Sequence, residues 1–228
     1  MDATTELLPL FPLGTVLLPG GPLPLRVFEP RYRELLSDVT AIGGRHRFGV
    51  VALTTGVEVE TGLVDQVPEF AAVGTVAEIL EVEPQPDGTS AVLTVGSSRF
   101  RILRLIDATT PYLQAEVEIL DEPLGPLPET LPDAARALVA EYARLFGVLT
   151  RTEPELDPFP ADAVALSYRI ALEAPLEQTD RQALLEQTSA TERLMTLTRL
   201  LRREVVLLRK TRTVAVSPTV LQAVLRAN

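Results

Sequence analysis

The sequence predicts an α+β fold, with a β-rich front half followed by a helical back half. Three observations predict it. Short Val, Ile and Leu runs divided by Gly, Pro and Asp fill residues 7–120. The stretch Asp121-Glu-Pro-Leu-Gly-Pro-Leu-Pro128 then interrupts the pattern. Beyond it the apolar period changes from two to about 3.6. The expected subdomains are residues 1–120, an antiparallel sheet, and residues 121–228, a helical bundle.

The uncharged stretch Leu7–Leu25 is the first element to settle, because its hydropathy suits a signal peptide or a membrane span. Asp2 and Glu6 precede it where a signal peptide wants positive charge. Pro9, Pro12, Pro19, Pro22 and Pro24 would each disrupt a spanning helix. It reads as buried strands and turns. The named strands follow as Leu23–Phe28, Phe48–Leu53, Val73–Val82, Ala91–Val95, Phe100–Ile106 and Tyr112–Leu120. Pro86-Asp87-Gly88 makes a hairpin of residues 73–96, since glycine takes positive φ at little cost. After Tyr112 the odd positions are apolar and the even ones mostly polar, the period of a half-buried strand. Pro30–Val39 alone in this half has helical spacing, through Tyr32, Leu35, Leu36 and Val39.

In the back half, Leu131, Ala134, Leu138, Tyr142 and Leu145 form one apolar stripe, and Ala161, Ala165, Tyr168 and Leu172 a second. A third helix begins near Thr179. The fourth opens at Ser189 and Glu192 with capping-box spacing, and its stripe is Leu194, Leu197, Leu201, Val205 and Leu208. The tail from Thr211 is expected to hold a short strand and a last helical turn.

Composition narrows the function classes. Hydrophobic residues at 46% against 23% charged support a sizeable core. A net charge of −10 argues against broad association with nucleic acid or an anionic membrane. The absence of cysteine removes disulfides, thiolate metal sites and thiol catalysis, and fits a reducing cytoplasm.

Few residues could carry catalysis. His46 is the single histidine, in the loop Gly43-Gly-Arg-His-Arg47, so a histidine metal cluster is excluded. Lys210 is the single lysine and no P-loop glycines precede it, which excludes that route to ATP hydrolysis. A Ser-Lys dyad with Ser189 or Ser217 is formally available, but Lys210 closes an amphipathic helix whose dipole a cation complements. With 31 carboxylates a general acid and base pair stays open, yet nothing singles one out. Arg199, Arg202, Arg203, Arg209, Lys210 and Arg212 form one basic cluster, which reads as a solvated helix face before an anion site. Gly14, Gly20, Gly21 and Gly96 read as turn glycines, in no dinucleotide-binding pattern.

Several segments carry a family resemblance. Leu8-Pro-Leu-Phe-Pro-Leu-Gly-Thr-Val-Leu-Leu-Pro-Gly20 and Leu23-Pro-Leu-Arg-Val-Phe-Glu-Pro-Arg-Tyr32 resemble the opening of the Lon protease N-terminal domain. The resemblance continues in Val73-Gly-Thr-Val-Ala-Glu-Ile79, Gly96-Ser-Ser-Arg-Phe-Arg-Ile102 and Pro111-Tyr-Leu-Gln-Ala-Glu-Val-Glu118, and in Leu184-Leu-Glu-Gln with Glu192-Arg-Leu194. It implies a PUA-like β-barrel in front of the helical bundle. It also implies a non-catalytic, stand-alone module that binds unfolded or apolar polypeptide segments without the ATPase and Ser-Lys protease modules of full-length Lon. No cofactor is expected, and a protease acting in trans is the further partner it suggests. The resemblance and the preference of ligands for concave junctions put the expected site in a cleft between barrel and bundle, lined by Phe28, Arg31, Tyr32, Arg99 and Tyr112. Phe28 and Tyr32 also suit core positions, and Arg99 a turn. The alternative is a PUA-like RNA-binding module, against which the charge weighs.

Overall fold

A computed structural model describes residues 4–54, 69–152 and 156–211. Among these, six strands and five helices occur in the order β1 (Thr5–Leu13), β2 (Pro22–Val27), α1 (Pro30–Thr40), β3 (Arg47–Ala52), β4 (Val73–Pro84), β5 (Ser90–Ile106), β6 (Gln114–Ile119), α2 (Leu131–Thr150), α3 (Ala163–Glu173), α4 (Gln178–Glu186) and α5 (Ala190–Thr211). The fold is α+β, and the chain divides into two compact units, Met1–Asp121 and Glu122–Asn228.

In the first unit the strand order is β2-β5-β4-β3-β1-β6, and β5 pairs with β6 as well. That pairing closes β5, β4, β3, β1 and β6 into a ring, a barrel with β2 added outside it. Closure needs β5 to be long. Its first half pairs with β2 and its second half with β6. The sequence reading broke this strand at Gly96, but Gly96 is strand. A Cβ there would lie 2.4 Å from the Leu18 carbonyl oxygen, so glycine serves close backbone approach and not a turn. Gly88, by contrast, sits at φ 79° in the expected β4–β5 hairpin, where its N–H donates to Gln85 O at 3.0 Å.

Two further differences concern β1. It starts at Thr5, ahead of the stretch Leu7–Leu25 that reads as buried strands and turns, and it pairs with β3 in parallel, whereas the other pairs among the named strands are antiparallel. Residues 5–9 pair with β6 and residues 10–13 with β3. Each half is thus paired along one edge, which leaves the side without a partner free to receive a residue lacking an N–H.

Alternation then builds two cores. Leu8, Leu10, Val51, Val76, Phe100, Ala115 and Val117 form one cluster. Phe11, Val50, Ala77 and Val92, from the opposite strand faces, join Tyr32, Leu35, Leu36 and Val39 of α1 in the other. Central strands with both faces covered read as continuous apolar runs such as Phe48-Gly-Val-Val-Ala52. The α1 stripe falls where its spacing predicts.

In the second unit α5 buries Leu194, Leu197, Leu201, Val205 and Leu208, the predicted stripe. Glu192 N–H donates to Ser189 Oγ at 3.3 Å, while the Glu192 carboxylate accepts from the N–H and hydroxyl of Thr188. The α3 stripe is corrected: Ala161 and Ala165 are exposed, and Ala163, Leu166, Ser167, Ile170 and Ala171 are buried. Asp162 caps this helix by accepting from Ala165 N–H at 2.8 Å, which fixes where it starts. In α2 the fully buried line is Ala135, Val139 and Tyr142, with Leu131, Leu138 and Leu145 half-buried beside it. The tail beyond Thr211, with Arg212 and Ser217, lies outside the described residues.

Candidate functional site

The residues expected to line a site occupy two places in the first unit. At the corner from β2 into α1, Tyr32 stacks on Phe11 with ring centroids 4.0 Å apart and planes 13° from parallel. The Arg31 guanidinium lies 4.7 Å above the same Tyr32 ring and pairs with Glu29 at 2.7 Å. Phe28, one residue beyond β2, is 63% exposed. Tyr112 is buried in the cluster that holds Tyr32, and its hydroxyl donates to Asp38 Oδ2 at 2.6 Å. Arg99 is buried and engaged elsewhere, donating to the Asp121 carbonyl at 3.0 Å while its own carbonyl accepts from Leu120 N–H. Arg31 and Tyr32 therefore touch, Tyr112 shares their cluster, and Arg99 has a separate task.

The electrostatics of this corner fit packing better than proton transfer. Burial pushes the Tyr32 phenol above its ordinary value, with Arg31 opposing the shift. Tyr112 is pushed up to about 12, first by burial and then by its bond to Asp38. Neither phenol exchanges its proton near neutrality. His46, at φ 51°, is exposed.

Among the described residues of this unit, the outer face of β2, β5 and β4 carries exposed apolar side chains. Register sets Pro24 beside Leu93 and Leu93 beside Glu81, with Pro22, Val95 and Glu78 in one neighbouring row and Arg26, Ala91 and Glu83 in the other. Leu80 stands out of the ladder where the register shifts between Ile79 and Glu81, and is 62% exposed. Leu93 is 39% exposed. The opposite face, with Leu23, Leu25, Ile79 and Val82, packs into the α1 core. One side of a three-stranded extension is thus covered, and the other presents Pro24, Leu80 and Leu93 inside a rim of Glu78, Glu81 and Glu83. Arg26 closes one end through Asp87 at 2.6 Å, and bonds from Thr89 and Arg26 hold the Asp87 carboxyl below its usual range.

Chemically, such a face accepts apolar side chains and favours basic groups at its edge. β2 is the end strand of the sheet, and Pro22 and Pro24 bring no N–H to it. Recognition through side chains on the face is therefore favoured over addition of a strand to the edge. Sequence reasoning missed Leu80 and Leu93. The available signal was Ile79-Leu80 and Val92-Leu93, where apolar residues occupy both strand faces instead of one.

Residues 7–203 match the family described as the ATP-dependent protease La (LON) substrate-binding domain. The chain is 35% identical to Lon protease 2 of Herpetosiphon aurantiacus over 89% of its own length and 24% of that protein's. It is 27% identical to Lon protease 1 of the same organism, over 87% and 24% respectively. The chain thus spans about a quarter of the length of these relatives. Among solved structures, the Lon N-terminal domain protein from Xanthomonas campestris aligns with TM-score 0.57 and 30% identity, covering 84% of this chain and 96% of that one. The N-terminal domain of Mycobacterium avium complex Lon protease, at 20% identity and TM-score 0.52, shares the fold, over 86% of this chain and 98% of its own. By sequence and by fold, the chain belongs to the Lon substrate-binding domain family.

Proposed function

We propose that this chain is a non-catalytic polypeptide-recognition module that binds unfolded or apolar segments on the outer face of β2, β5 and β4. The observation that carries the reading is the exposed group Pro24, Leu80 and Leu93 inside a glutamate rim, on a domain of a substrate-binding family. Apolar area supplies the attraction, roughly 25 cal/mol for each Å² buried, and the rim carboxylates favour segments with lysine or arginine next to their apolar residues. Phe28 and Arg31 extend the surface toward α1, while Tyr32, Tyr112 and Arg99 hold the framework. A protease acting in trans is the further partner, and the cytoplasm the compartment that an acidic, cysteine-free chain suits. Among the described residues no helix is long and apolar enough to cross a membrane.

The test is fluorescence anisotropy of a labelled, permanently unfolded protein titrated with this chain at low and physiological salt. A saturable rise is expected that survives salt and is lost in the Leu80→Glu, Leu93→Glu double variant. No rise, or the same rise in the variant, would remove this surface from the reading.

A further inference from the structure

A second surface lies on the helical unit, along the solvent side of α5. Because Leu194, Leu197, Leu201, Val205 and Leu208 are buried, the helical period lines up Met195, Arg199, Arg202 and Val206 on the opposite side. At about 1.5 Å per residue this line runs roughly 16 Å. All four residues are exposed, Met195 by 57% and Val206 by 46%, and exposed Lys210 continues the line.

The cations of this helix fall into two groups. Arg193 pairs with Glu122 at 2.7 Å, Arg203 reaches Glu204 at 3.0 Å and Asp180 at 3.9 Å, and Arg209 pairs with Glu141. Among the described residues no carboxylate pairs with Arg199, Arg202 or Lys210. In a chain of net charge −10 this is a local reversal of sign, framed by two exposed apolar side chains.

We propose that this strip docks an acidic amphipathic segment of a partner polypeptide. Its apolar side chains rest on Met195 and Val206, and its carboxylates meet Arg199 and Arg202 between them. Charge complementarity selects this occupant. A second copy packed symmetrically would bring the arginines face to face, like charge on like. A nucleic acid would find cations but no aromatic ring on the strip to stack on, and the net charge of the chain repels it. The strip is independent of the barrel surface, so either assignment can fail alone.

The probe is a labelled synthetic helix of about four turns, with leucine and glutamate repeating along one face, titrated with the full chain. Saturable binding is expected, weakening as salt rises. Arg199→Glu with Arg202→Glu should lower affinity roughly tenfold, as should a peptide with glutamine for glutamate. The reversed variant should bind a lysine version of the peptide better than the parent does, a rescue that a merely unfolded variant would not show. Leu80→Glu with Leu93→Glu should leave this binding unchanged. Equal binding of the glutamate and glutamine peptides, or no effect of charge reversal, would overturn the proposal. So would strip-dependent binding of single-stranded RNA in place of the peptide, or self-association in sedimentation that charge reversal abolishes.

Discussion

The two units solve the same problem, a core that leaves no polar group stranded, in different ways. In the barrel unit the central apolar cluster runs from Leu8 and Leu10 to Phe100 and Val117, and the buried guanidinium of that unit, Arg99, reaches a backbone group, the Asp121 carbonyl at 3.0 Å. In the helical unit a guanidinium is fully buried: Arg193 has no exposed surface. It pairs with Glu122 at 2.7 Å, donates to Ser167 Oγ at 3.0 Å and lies 4.1 Å above the Tyr168 ring. The Tyr168 hydroxyl donates to the second oxygen of Glu122 at 2.7 Å. The reason lies in the backbone. Strands closed into a ring bond one another, so their side chains are free to be apolar. The segment Glu122–Leu124 belongs to no strand or helix. Its carbonyls find their donors at the start of α5, where Ala190 and Thr191 N–H groups reach Pro123 O and Leu124 O at 3.0 Å. A charged side chain then fixes Glu122. The difference teaches that a polar core residue marks the place where chain without regular structure has to be anchored.

Three measurements break or sharpen this contrast. The largest effect is expected for Phe100→Ala, which opens the apolar barrel core and should lower stability by about 3–5 kcal/mol. Urea unfolding would measure it, with hydrogen exchange showing the loss in the strands. A change below about 1 kcal/mol would mean that the barrel collapses around the cavity and is less rigidly packed than argued.

Arg193→Met comes next, at about 3 kcal/mol, because it removes the guanidinium that pairs with Glu122 and lies over the Tyr168 ring. Hydrogen exchange should loosen α3 and α5 and spare the strands. Adding Glu122→Gln should recover part of the loss in a double-mutant cycle. If Arg193→Met alone is neutral or stabilising, an apolar core would serve here as well, and the contrast between the units disappears.

The smallest effect is shared by both units. Burial pushes both Tyr112 and Tyr142 up to about 12, with the Asp38 bond adding at Tyr112 and the nearby Glu204 charge adding at Tyr142. Each phenol holds its proton more tightly in the folded than in the unfolded chain. Its contribution is therefore intact below about pH 10 and is lost as pH rises toward 12. Thermal melting across that range should fall for the parent, and Tyr112→Phe and Tyr142→Phe should each flatten the slope. A slope unchanged in both variants would assign the alkaline loss to other groups.

How much was legible follows from which signal each element carries. α1 and α5 were read correctly because one amphipathic stripe fixes both the helix and its buried face. β1 falls in the stretch that reads as buried strands and turns, but its bounds were not legible, because Pro9 and Pro12 are excluded only where both edges are bonded and the sequence does not say that its halves change partners. Gly96 was misread because closeness to Leu18 O is a tertiary fact. Arg193 gave no sign of burial, since an arginine between Glu192 and Leu194 reads as one more cation on the polar side of a helix. Of the expected site residues, Tyr32 and Tyr112 are buried in one core cluster, while Leu80 and Leu93, which read as ordinary strand residues, are exposed.

Closure of the ring also dictates an order of events during synthesis. Thr5 of β1 lies opposite Glu118 of β6, the most sequence-distant strand pairing in the unit, and such a contact raises contact order and slows folding. On a growing chain β1 emerges first, yet the strand that completes its pairing emerges last. Until β6 leaves the ribosome, Leu8 and Leu10 are apolar side chains on a half-paired edge, the kind of segment that associates with other nascent chains or with a chaperone.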